Sequence, residues 1–429
     1  MRNRRRAVFV CCDGLGRDWV RPETTPILHD LAREGLWCAE HRAVFPSVTR
    51  VSAASVTTGC LPARHGLHGN RMGLVEGGKI RVRDVGHPDF RGHMRRATGT
   101  TLLVPSLAER VADAGGFIAF SNVSPGAAYF LDPEHFGYVY HRAGSYAPGG
   151  ACISGAKALG VSHDLAGDWA MTQRFCAEVL RDRQPAVAVL WLANPDLTLH
   201  GVPLGSREHR EALGMAERCV REVVRTIEDL QGEGDEILLL IGSDHGQETI
   251  GGCIDLEAWL ATHRLGALLQ SGDVAVAGQG TAALLYASDL GRPSLLGVIE
   301  DMRQAPWAGT VLLDGELAAH GLATQGGIVA AVNMARLETL NPFGVTGQRW
   351  IVSEAGKSAA LGSGQHGGWG PDETRPFLIV REPGAAPGVM HRPTGLIDIA
   401  PTILRFLGLE SDGLDGSPIA RPLRPAPSR

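Results

Sequence analysis

The stretch AVFVCCDG at residues 7–14 decides the fold class of this chain. Its first six residues are continuously apolar, which is typical of a central parallel strand that is buried on both faces of its sheet. Asp13 and Gly14 end this strand. A helix is predicted to begin near Thr25-Pro26, because proline is favoured at the first helical position. The stretch therefore predicts the opening strand and helix of an α/β protein.

Two later runs repeat this arrangement. Residues 186–193 (AVAVLWLA) lead into Asn194-Pro195-Asp196, and residues 236–242 (EILLLIG) lead into Ser243-Asp244-His245. Apolar runs alternate with helical patterns along most of the chain, which predicts an α/β fold around a mainly parallel sheet. The stretch from about residue 255 to residue 360 is instead rich in Gly and Ala. We expect a core domain at 1–255 plus 360–429, with a smaller cap domain inserted at 256–359.

Composition and charge exclude several classes of protein. The chain has 429 residues, of which 44% are hydrophobic and 20% are charged, so disorder, collagen and coiled coil are excluded. The formal net charge of −5 provides no basic field for a nucleic-acid polymer or an acidic membrane. No apolar run approaches the length of a membrane span. The eight cysteines form no CxxC pair, and the basic N-terminus precedes too short an apolar run for a signal peptide, so we expect a cytoplasmic protein.

The polar residues at the ends of the predicted strands are the candidate site. Asp13, Asp196 and Asp244 each follow a buried run, and His200 and His245 accompany the last two. Ligands of open α/β sheets bind at the carboxyl ends of the strands, where these carboxylates would repel one another without cations. Each feature alone, such as Asp-xxx-His, is more often structural, but their joint placement indicates metal. Carboxylate and imidazole ligands without Cys suit Zn²⁺, with Mn²⁺ or Fe as alternatives, and the number of candidates indicates two ions.

A hydroxyl group marks a second candidate feature. The run FPSVT at residues 45–49 enters a predicted helix at 50–58 that Gly59 ends. Thr49 therefore lies at a helix N-terminus, where partial positive charge stabilises an alkoxide or a bound phosphate. The alternative is that the hydroxyl is only an N-cap. His65 and His68, in the turn after this helix, are expected to order the loop rather than to bind metal.

Together these motifs resemble the alkaline phosphatase superfamily. They are Asp13-Gly14, Pro46-Ser-Val-Thr49, Thr58-Gly59 with His65-Gly66, Asp196 with His200, Asp244-His245-Gly246 and a late His366-Gly367. They are most similar to the nucleotide pyrophosphatase/phosphodiesterase branch, which is related to phosphonoacetate hydrolase. The resemblance implies an alkaline-phosphatase-like core with a mixed, mostly parallel sheet between helices. It also implies a cap inserted between the Asp-His-Gly motif and the late His-Gly motif.

The resemblance implies a ligand set and a mechanism. One metal ion would be held by Asp13, Thr49, Asp244 and His245, and a second by Asp196, His200 and His366. Thr49 would be the nucleophile of a two-metal in-line displacement that passes through a phospho-threonine intermediate.

The chain departs from the branch at two points. Ser52 stands where the branch usually has Asn, whose amide helps to bind a phosphoryl oxygen; a Ser hydroxyl can still donate one hydrogen bond. The lysines that phosphonoacetate hydrolases place around a substrate carboxylate have no counterpart within the matched motifs. Arg50, Arg64 or Arg71 could serve in their place.

The resulting functional hypothesis is a hydrolase that cleaves small phosphodiesters or pyrophosphates. The alternatives are cleavage of a C–P bond in a phosphonate, a phosphomutase or phosphoryl transferase on the same core, and a non-catalytic metal-binding relative. The expected partner is a small phosphodiester, pyrophosphate or phosphonate, with no nucleic-acid polymer and no membrane. A homodimer is one assembly state that this hypothesis allows.

Overall fold

A computed structural model describes residues 5–322, 325–353 and 360–419 of the chain. Its strands are β1 (Arg5–Cys12), β2 (Leu36–Cys38), β3 (His41–Arg42), β4 (Arg71–Glu76), β5 (Lys79–Asp84), β6 (Phe117–Ser121), β7 (Tyr138–His141), β8 (Ser145–Tyr146), β9 (Cys152–Ile153), β10 (Val187–Leu192), β11 (Glu236–Gly242), β12 (Glu248–Ile254), β13 (Val274–Gly278), β14 (Ala282–Ala287), β15 (Ala308–Leu313), β16 (Ile328–Met334), β17 (Arg336–Leu340), β18 (Thr346–Val352), β19 (Gly364–Gln365), β20 (Leu378–Arg381), β21 (Gly388–Met390) and β22 (Thr394–Gly395).

The α-helices are α1 (Pro26–Glu34), α2 (Thr49–Thr58), α3 (Pro62–His65), α4 (Phe90–Thr98), α5 (Leu107–Arg110), α6 (Pro125–Phe130), α7 (Leu165–Arg174), α8 (Asp196–Leu199), α9 (Arg207–Gly232), α10 (Leu256–Leu260), α11 (Gly266–Ser271), α12 (Arg292–Leu296), α13 (Ile299–Arg303), α14 (Asp314–Ala319) and α15 (Ile399–Leu407). A π-helical segment, Phe175–Arg183, continues α7. The predicted first helix therefore begins at Pro26, and the helix predicted at 50–58 begins one residue earlier and ends before Gly59.

The central sheet is mixed and mostly parallel, as predicted. Its ten strands lie in the order β21-β2-β20-β11-β1-β10-β6-β7-β8-β9. The five strands from β11 to β7 are parallel to one another, and β20 joins them antiparallel. The three strands that sequence analysis singled out, β1, β10 and β11, are immediate neighbours with β1 in the middle. This adjacency brings their carboxyl ends to one place on the rim.

Strand β1 is buried on both faces. Ala7, Phe9 and Cys11 belong to one hydrophobic cluster, whereas Val8, Val10 and Cys12 belong to another. Because successive side chains of a strand point to opposite faces, the two clusters lie on opposite sides of the sheet. A strand has apolar side chains on both faces only if its sequence is continuously apolar. This is why residues 7–12 decide the fold.

The stretch from 256 to 359 contributes two further sheets. The sheet β13-β14-β16-β15 lies entirely within it, but the sheet β17-β18-β12-β19 also takes β12 and β19 from outside. One face of β14 packs in a cluster with Phe45 and Ile80 from the N-terminal part of the chain. The division into core and cap therefore stays a prediction, and residues 354–359 at its end lie outside the described part.

None of the eight cysteines forms a disulfide, and six of them are buried. Within residues 5–322, 325–353 and 360–419, no helix is both long enough and apolar enough to cross a membrane.

Candidate metal centre

The carboxyl ends of β1, β10 and β11 carry the three predicted aspartates. The backbone N–H of Asp196 donates to the carbonyl oxygen of Asp13 at 3.0 Å, and the N–H of Gly14 donates to Asp244 Oδ1 at 3.1 Å. Gly14 has a φ of +71°, and a Cβ there would lie only 2.8 Å from the Cβ of Asp196. The Asp13-Gly14 turn is therefore what allows the three strand ends to approach so closely.

Asp13, Asp244 and His245 form one group of candidate ligands, all fully buried. Their ligand atoms lie within 4.8 Å of one another. His245 Nε2 is 3.5 Å from Asp13 Oδ1 and 3.2 Å from Asp244 Oδ2. Thr49 Oγ1 lies 3.2 Å from the same nitrogen. The four residues assigned to the first ion thus meet around one atom, His245 Nε2.

Asp196 is the centre of the second group. His366 Nε2 is 3.4 Å from Asp196 Oδ1, and His200 Nε2 is 3.3 Å from Asp196 Oδ2. The ligand atoms of Asp196, His366 and His245 also lie within 4.8 Å of one another, and the rings of His245 and His366 stack with centroids 3.6 Å apart. The two groups are therefore contiguous, and His245, predicted for the first ion only, also borders the second group.

Two of the three imidazoles, those of His245 and His366, are held in one tautomer. His366 Nδ1 donates to the carbonyl oxygen of Ser47 at 2.7 Å, and His245 Nδ1 donates to that of Gly246 at 2.9 Å. Burial lowers the pKa of His366 to about 3 and that of His245 to about 4, so both rings are neutral. A neutral imidazole with its proton on Nδ1 presents a lone pair at Nε2, which is the form that binds metal.

The carboxylates of the site have oxygen atoms free to bind a cation. Asp13 Oδ2 accepts from Trp191 Nε1 at 3.0 Å, while its Oδ1 accepts no hydrogen bond, and Asp244 Oδ2 likewise accepts none among the described residues. Burial, together with Asp196, raises the pKa of Asp244 to about 7. Carboxylate oxygens and imidazole lone pairs would repel one another in a dry site, at a cost of several kcal/mol. The donor set therefore fits divalent cations.

Thr49 is not an N-cap. The N-cap of α2 is Val48, and no side chain caps this helix end, so the alternative interpretation of Thr49 is wrong. Ser47 instead ties this loop to the late His-Gly motif, because its Oγ donates to the carbonyl oxygen of Gly368 at 2.7 Å and accepts from the N–H of Gly367 at 3.1 Å. The Thr49 hydroxyl is thereby left to face His245.

Ser52 lies one turn along α2 from Thr49. Its side chain is fully buried, and its Oγ has no hydrogen-bond partner among the described residues. A buried hydroxyl without a partner costs roughly 1–3 kcal/mol. The predicted site residues Thr49 and Ser52 therefore share one helix face, where the Thr49 hydroxyl bonds His245 Nε2 and the Ser52 hydroxyl is without a partner among the described residues.

The structure separates the other candidates of the sequence analysis. His65 Nε2 bonds Ser55 Oγ at 3.0 Å and His65 Nδ1 accepts from the N–H of Leu67 at 3.1 Å, which supports an ordering role for His65 in this turn. Neither His65 nor His68 belongs to the candidate ligand groups found among the described residues. Arg64 pairs with Asp415 at 2.9 Å on the surface. Arg50 and Arg71, in contrast, line a cavity of about 790 Å³ beside the second metal group.

Two supporting residues escaped sequence analysis. Gln247 Nε2 donates to Asp196 Oδ1 at 2.5 Å, which orients this carboxylate. Glu373 accepts from the N–H groups of Gly368 at 3.0 Å and Gly370 at 2.8 Å, and so shapes the loop that carries His366. Burial and Glu248 raise the pKa of Glu373 to about 7. The only available signal for Gln247 was its place two residues after His245, and Glu373 had none.

The mixed, mostly parallel sheet and the carboxylates and imidazoles at its rim agree with the alkaline-phosphatase-like class of protein that the sequence motifs resemble. A model of the type I phosphodiesterase / nucleotide pyrophosphatase family matches residues 7–293. The chain therefore belongs to this family, which makes it a phosphoester hydrolase. No curated protein sequence was found to match the chain.

Solved structures show the same fold at low sequence identity. An inactive variant of murine ectonucleotide pyrophosphatase / phosphodiesterase 5 in complex with AMP is 14% identical, with a TM-score of 0.69 over 96% of this chain and 97% of that one. Wild-type alkaline phosphatase PafA is 13% identical, with a TM-score of 0.71 over 98% of this chain and 99% of that one. Both matches extend over nearly the whole chain.

Proposed function

We propose that this phosphoester hydrolase cleaves small phosphodiesters or pyrophosphates at a two-metal site, with Thr49 as the nucleophile. The observation that carries the proposal is the 3.2 Å separation of Thr49 Oγ1 from His245 Nε2. The Thr49 hydroxyl, which does not cap the helix, therefore lies among candidate metal ligands at the N-terminus of α2. A helix N-terminus also favours the negative charge of a phosphoryl group.

The chain offers a ligand set for each of two divalent ions. Asp13, Thr49, Asp244 and His245 would hold one ion, and Zn²⁺ is the proposed metal because the ligands are nitrogen and oxygen atoms. Asp196, His200 and His366 would hold the other. When bound, the ions supply positive charge that lowers the pKa of the attacking hydroxyl and stabilises the leaving oxygen.

Thr49 carries the covalent step of the proposed reaction. An Oγ1–P bond forms as the bond from phosphorus to the leaving oxygen breaks, and the proton of the Thr49 hydroxyl ends on the leaving oxygen. The products of this step are an alcohol or phosphate and a phospho-threonine whose phosphorus keeps the second ester group of a diester. Water then forms a new O–P bond as the Oγ1–P bond breaks, and one proton of the water returns to Thr49. Such transfer depends on positioning and charge neutralisation more than on a separate general base.

Ser52 would donate its hydroxyl hydrogen to a phosphoryl oxygen. We expect Ser52→Ala to lower kcat of diester hydrolysis roughly 10²–10³-fold, the loss expected for one donor to a developing charge. Ser55→Ala is the matched control, because Ser55 lies on the same helix but its Oγ bonds His65. Steady-state kinetics of both variants test the assignment. Equal, small losses would show that Ser52 does not contact the substrate.

Metal analysis combined with a substrate panel tests the function as a whole. The expected result is about two equivalents of divalent metal, with faster hydrolysis of diesters than of monoesters and phosphonates. Free phosphate from a phosphonate would instead identify C–P cleavage, and phosphate retained on an organic product would identify a mutase or transferase. Protein that binds metal but hydrolyses no substrate of the panel would contradict the proposal.

A further inference from the structure

The cavity beside the second metal group is lined by charged, polar and aliphatic side chains and by glycine. It measures about 790 Å³ and reaches His200 and His366. Its lining consists of Val48, Arg50, Asn70, Arg71, Asp84, His200, Ile250, Gly278, Gln279, Gly280, Ile351, Val352, Ser353, Ala360, Gln365 and His366. Among the described residues, no Phe, Tyr or Trp lines this cavity. The cavity therefore offers cationic groups rather than an aromatic surface on which a base could stack.

The two arginines of the cavity differ in their partners. Arg50 forms an ion pair with Asp84, and it also donates to the carbonyl oxygen of Asn70 at 2.7 Å and to Ser124 Oγ at 3.3 Å. The guanidinium of Arg71 has no hydrogen-bond or ion-pair partner among the residues that the structure describes, but its positive charge, together with that of Arg50, lowers the pKa of Asp84. One carboxylate thus faces two guanidinium groups, and one positive charge of the wall remains unmatched.

The backbone around Arg71 is held firmly. Gln279 is buried, and its Nε2 donates to the carbonyl oxygen of Arg71 at 2.6 Å while its Oε1 accepts from the N–H of Asn70 at 2.7 Å. Arg71 also opens strand β4, where it lies directly opposite Asp84 of β5. One buried amide therefore fixes the segment that presents Arg71 to the cavity, and such preorganisation lowers the entropic cost of binding.

We propose that Arg71 binds a second anionic group of the substrate, so that the preferred substrate is a small phosphodiester whose non-leaving ester group carries a carboxylate or a phosphate away from the scissile bond. This inference rests on the proposed function, because it places the scissile phosphorus at Thr49. A guanidinium presents paired N–H donors whose geometry matches a carboxylate or a phosphate. The half-buried Arg71 lies in the same cavity as His200 and His366, so both ends of a small dianion can bind within it.

A set of matched p-nitrophenyl diesters tests the inference. The second ester group is 2-carboxyethyl, 2-phosphoethyl, neutral propyl or thymidin-5′-yl, and release of p-nitrophenol gives kcat/KM for each. In the wild-type protein we expect at least one anionic diester to exceed the propyl diester by about tenfold to a hundredfold. The two anionic arms distinguish a carboxylate from a phosphate. A ratio near one for both, or a preference for the thymidine diester, would overturn the inference.

Variants then assign the preference to Arg71. Arg71→Gln is expected to reduce the ratio of anionic to propyl diester to near one, with Arg71→Lys in between because it keeps the charge without the paired donors. Arg81→Gln is the control, since Arg81 is an exposed arginine of the same hairpin outside the cavity lining. An Arg71→Gln variant that lost activity equally toward all four diesters would show a structural role and overturn the inference.

Calorimetry separates this inference from the proposed function. In a Thr49→Ala background, binding of 2-carboxyethylphosphonate and propylphosphonate is compared with and without Arg71→Gln. The inference is supported if 2-carboxyethylphosphonate binds more tightly than propylphosphonate and Arg71→Gln abolishes this difference. This result counts even if no diester is hydrolysed. Equal binding of both ligands overturns it even if the propyl diester is a substrate.

Discussion

Thr49→Ala is expected to lower kcat/KM for phosphodiester hydrolysis by about 10⁴-fold or more, because it removes the atom that bonds to phosphorus. The residue packs at the start of α2 and loses only a hydroxyl and a methyl group, and that hydroxyl caps no helix end. We therefore expect the melting temperature to change little, and the metal content should change little as well because Asp13, Asp244 and His245 remain as ligands of the first ion. Steady-state kinetics, metal analysis and a thermal melt of the same preparation give the three measurements.

Two companion variants sharpen this test. Thr49→Ser keeps a hydroxyl and is expected to retain part of the activity, whereas Thr58→Ala removes a threonine hydroxyl of the same helix that donates to the carbonyl oxygen of Ala54. Thr58→Ala should leave turnover almost unchanged. Rapid acid quenching of the wild-type protein during turnover of a diester should leave on Thr49 a phosphoryl group that still carries the second ester group, and peptide mass spectrometry detects this added mass. A fully active Thr49→Ala protein would exclude the phospho-threonine mechanism.

The fold was predictable because its decisive signals are local. A short apolar run such as residues 7–12, ended by Asp13-Gly14, favours a strand buried between two hydrophobic layers, and the structure divides its side chains between two clusters accordingly. The order of the strands in the sheet, in contrast, could not be predicted from local sequence patterns. That β1 lies between β10 and β11 follows from long-range pairing, and it is this order that brings Asp13, Asp196 and Asp244 together.

The site was predictable only in part, for a related reason. Polar residues that follow a long buried strand can be identified from the sequence. His366, in contrast, comes after the two-residue strand β19 and was selected only by resemblance. Its position depends on contacts that no spacing encodes, above all the bond from its Nδ1 to the carbonyl oxygen of Ser47. Gln247 and Glu373 were missed because they act on other site residues through hydrogen bonds, which leave no periodic pattern in the sequence.

The cavity illustrates a third limit. Arg50, Arg64 and Arg71 were equivalent candidates in the sequence, since each lies close to the nucleophile motif. Their partners distinguish them in the structure: Asp415 neutralises Arg64, Asp84 neutralises Arg50, and Arg71 remains without an ion pair among the described residues. Charge balance across a cavity depends on which acidic groups fold beside each arginine, so it is visible only in three dimensions.

His366→Ala is expected to cost several kcal/mol of transition-state stabilisation, a loss of about 10³-fold or more in kcat/KM, because it removes a ligand of the second group. The neutral ring presents an Nε2 lone pair 3.4 Å from Asp196 Oδ1, and alanine leaves only Asp196 and His200 of the three residues assigned to the second ion. We therefore also expect the variant to bind about one equivalent of metal less than the wild type. Kinetics and metal analysis at matched free metal concentration measure the two effects separately.

His391→Ala is the matched control for this substitution, since His391 is exposed and lies outside both ligand groups. It should leave activity and metal content near the wild-type values. Excess metal in the assay distinguishes two ways in which His366 could act: partial rescue indicates weakened binding of an ion, whereas an unchanged defect at full metal occupancy indicates that the ring positions Asp196 or the substrate. Small and comparable losses in both variants would remove His366 from the site, and with it the second ion of the proposed mechanism.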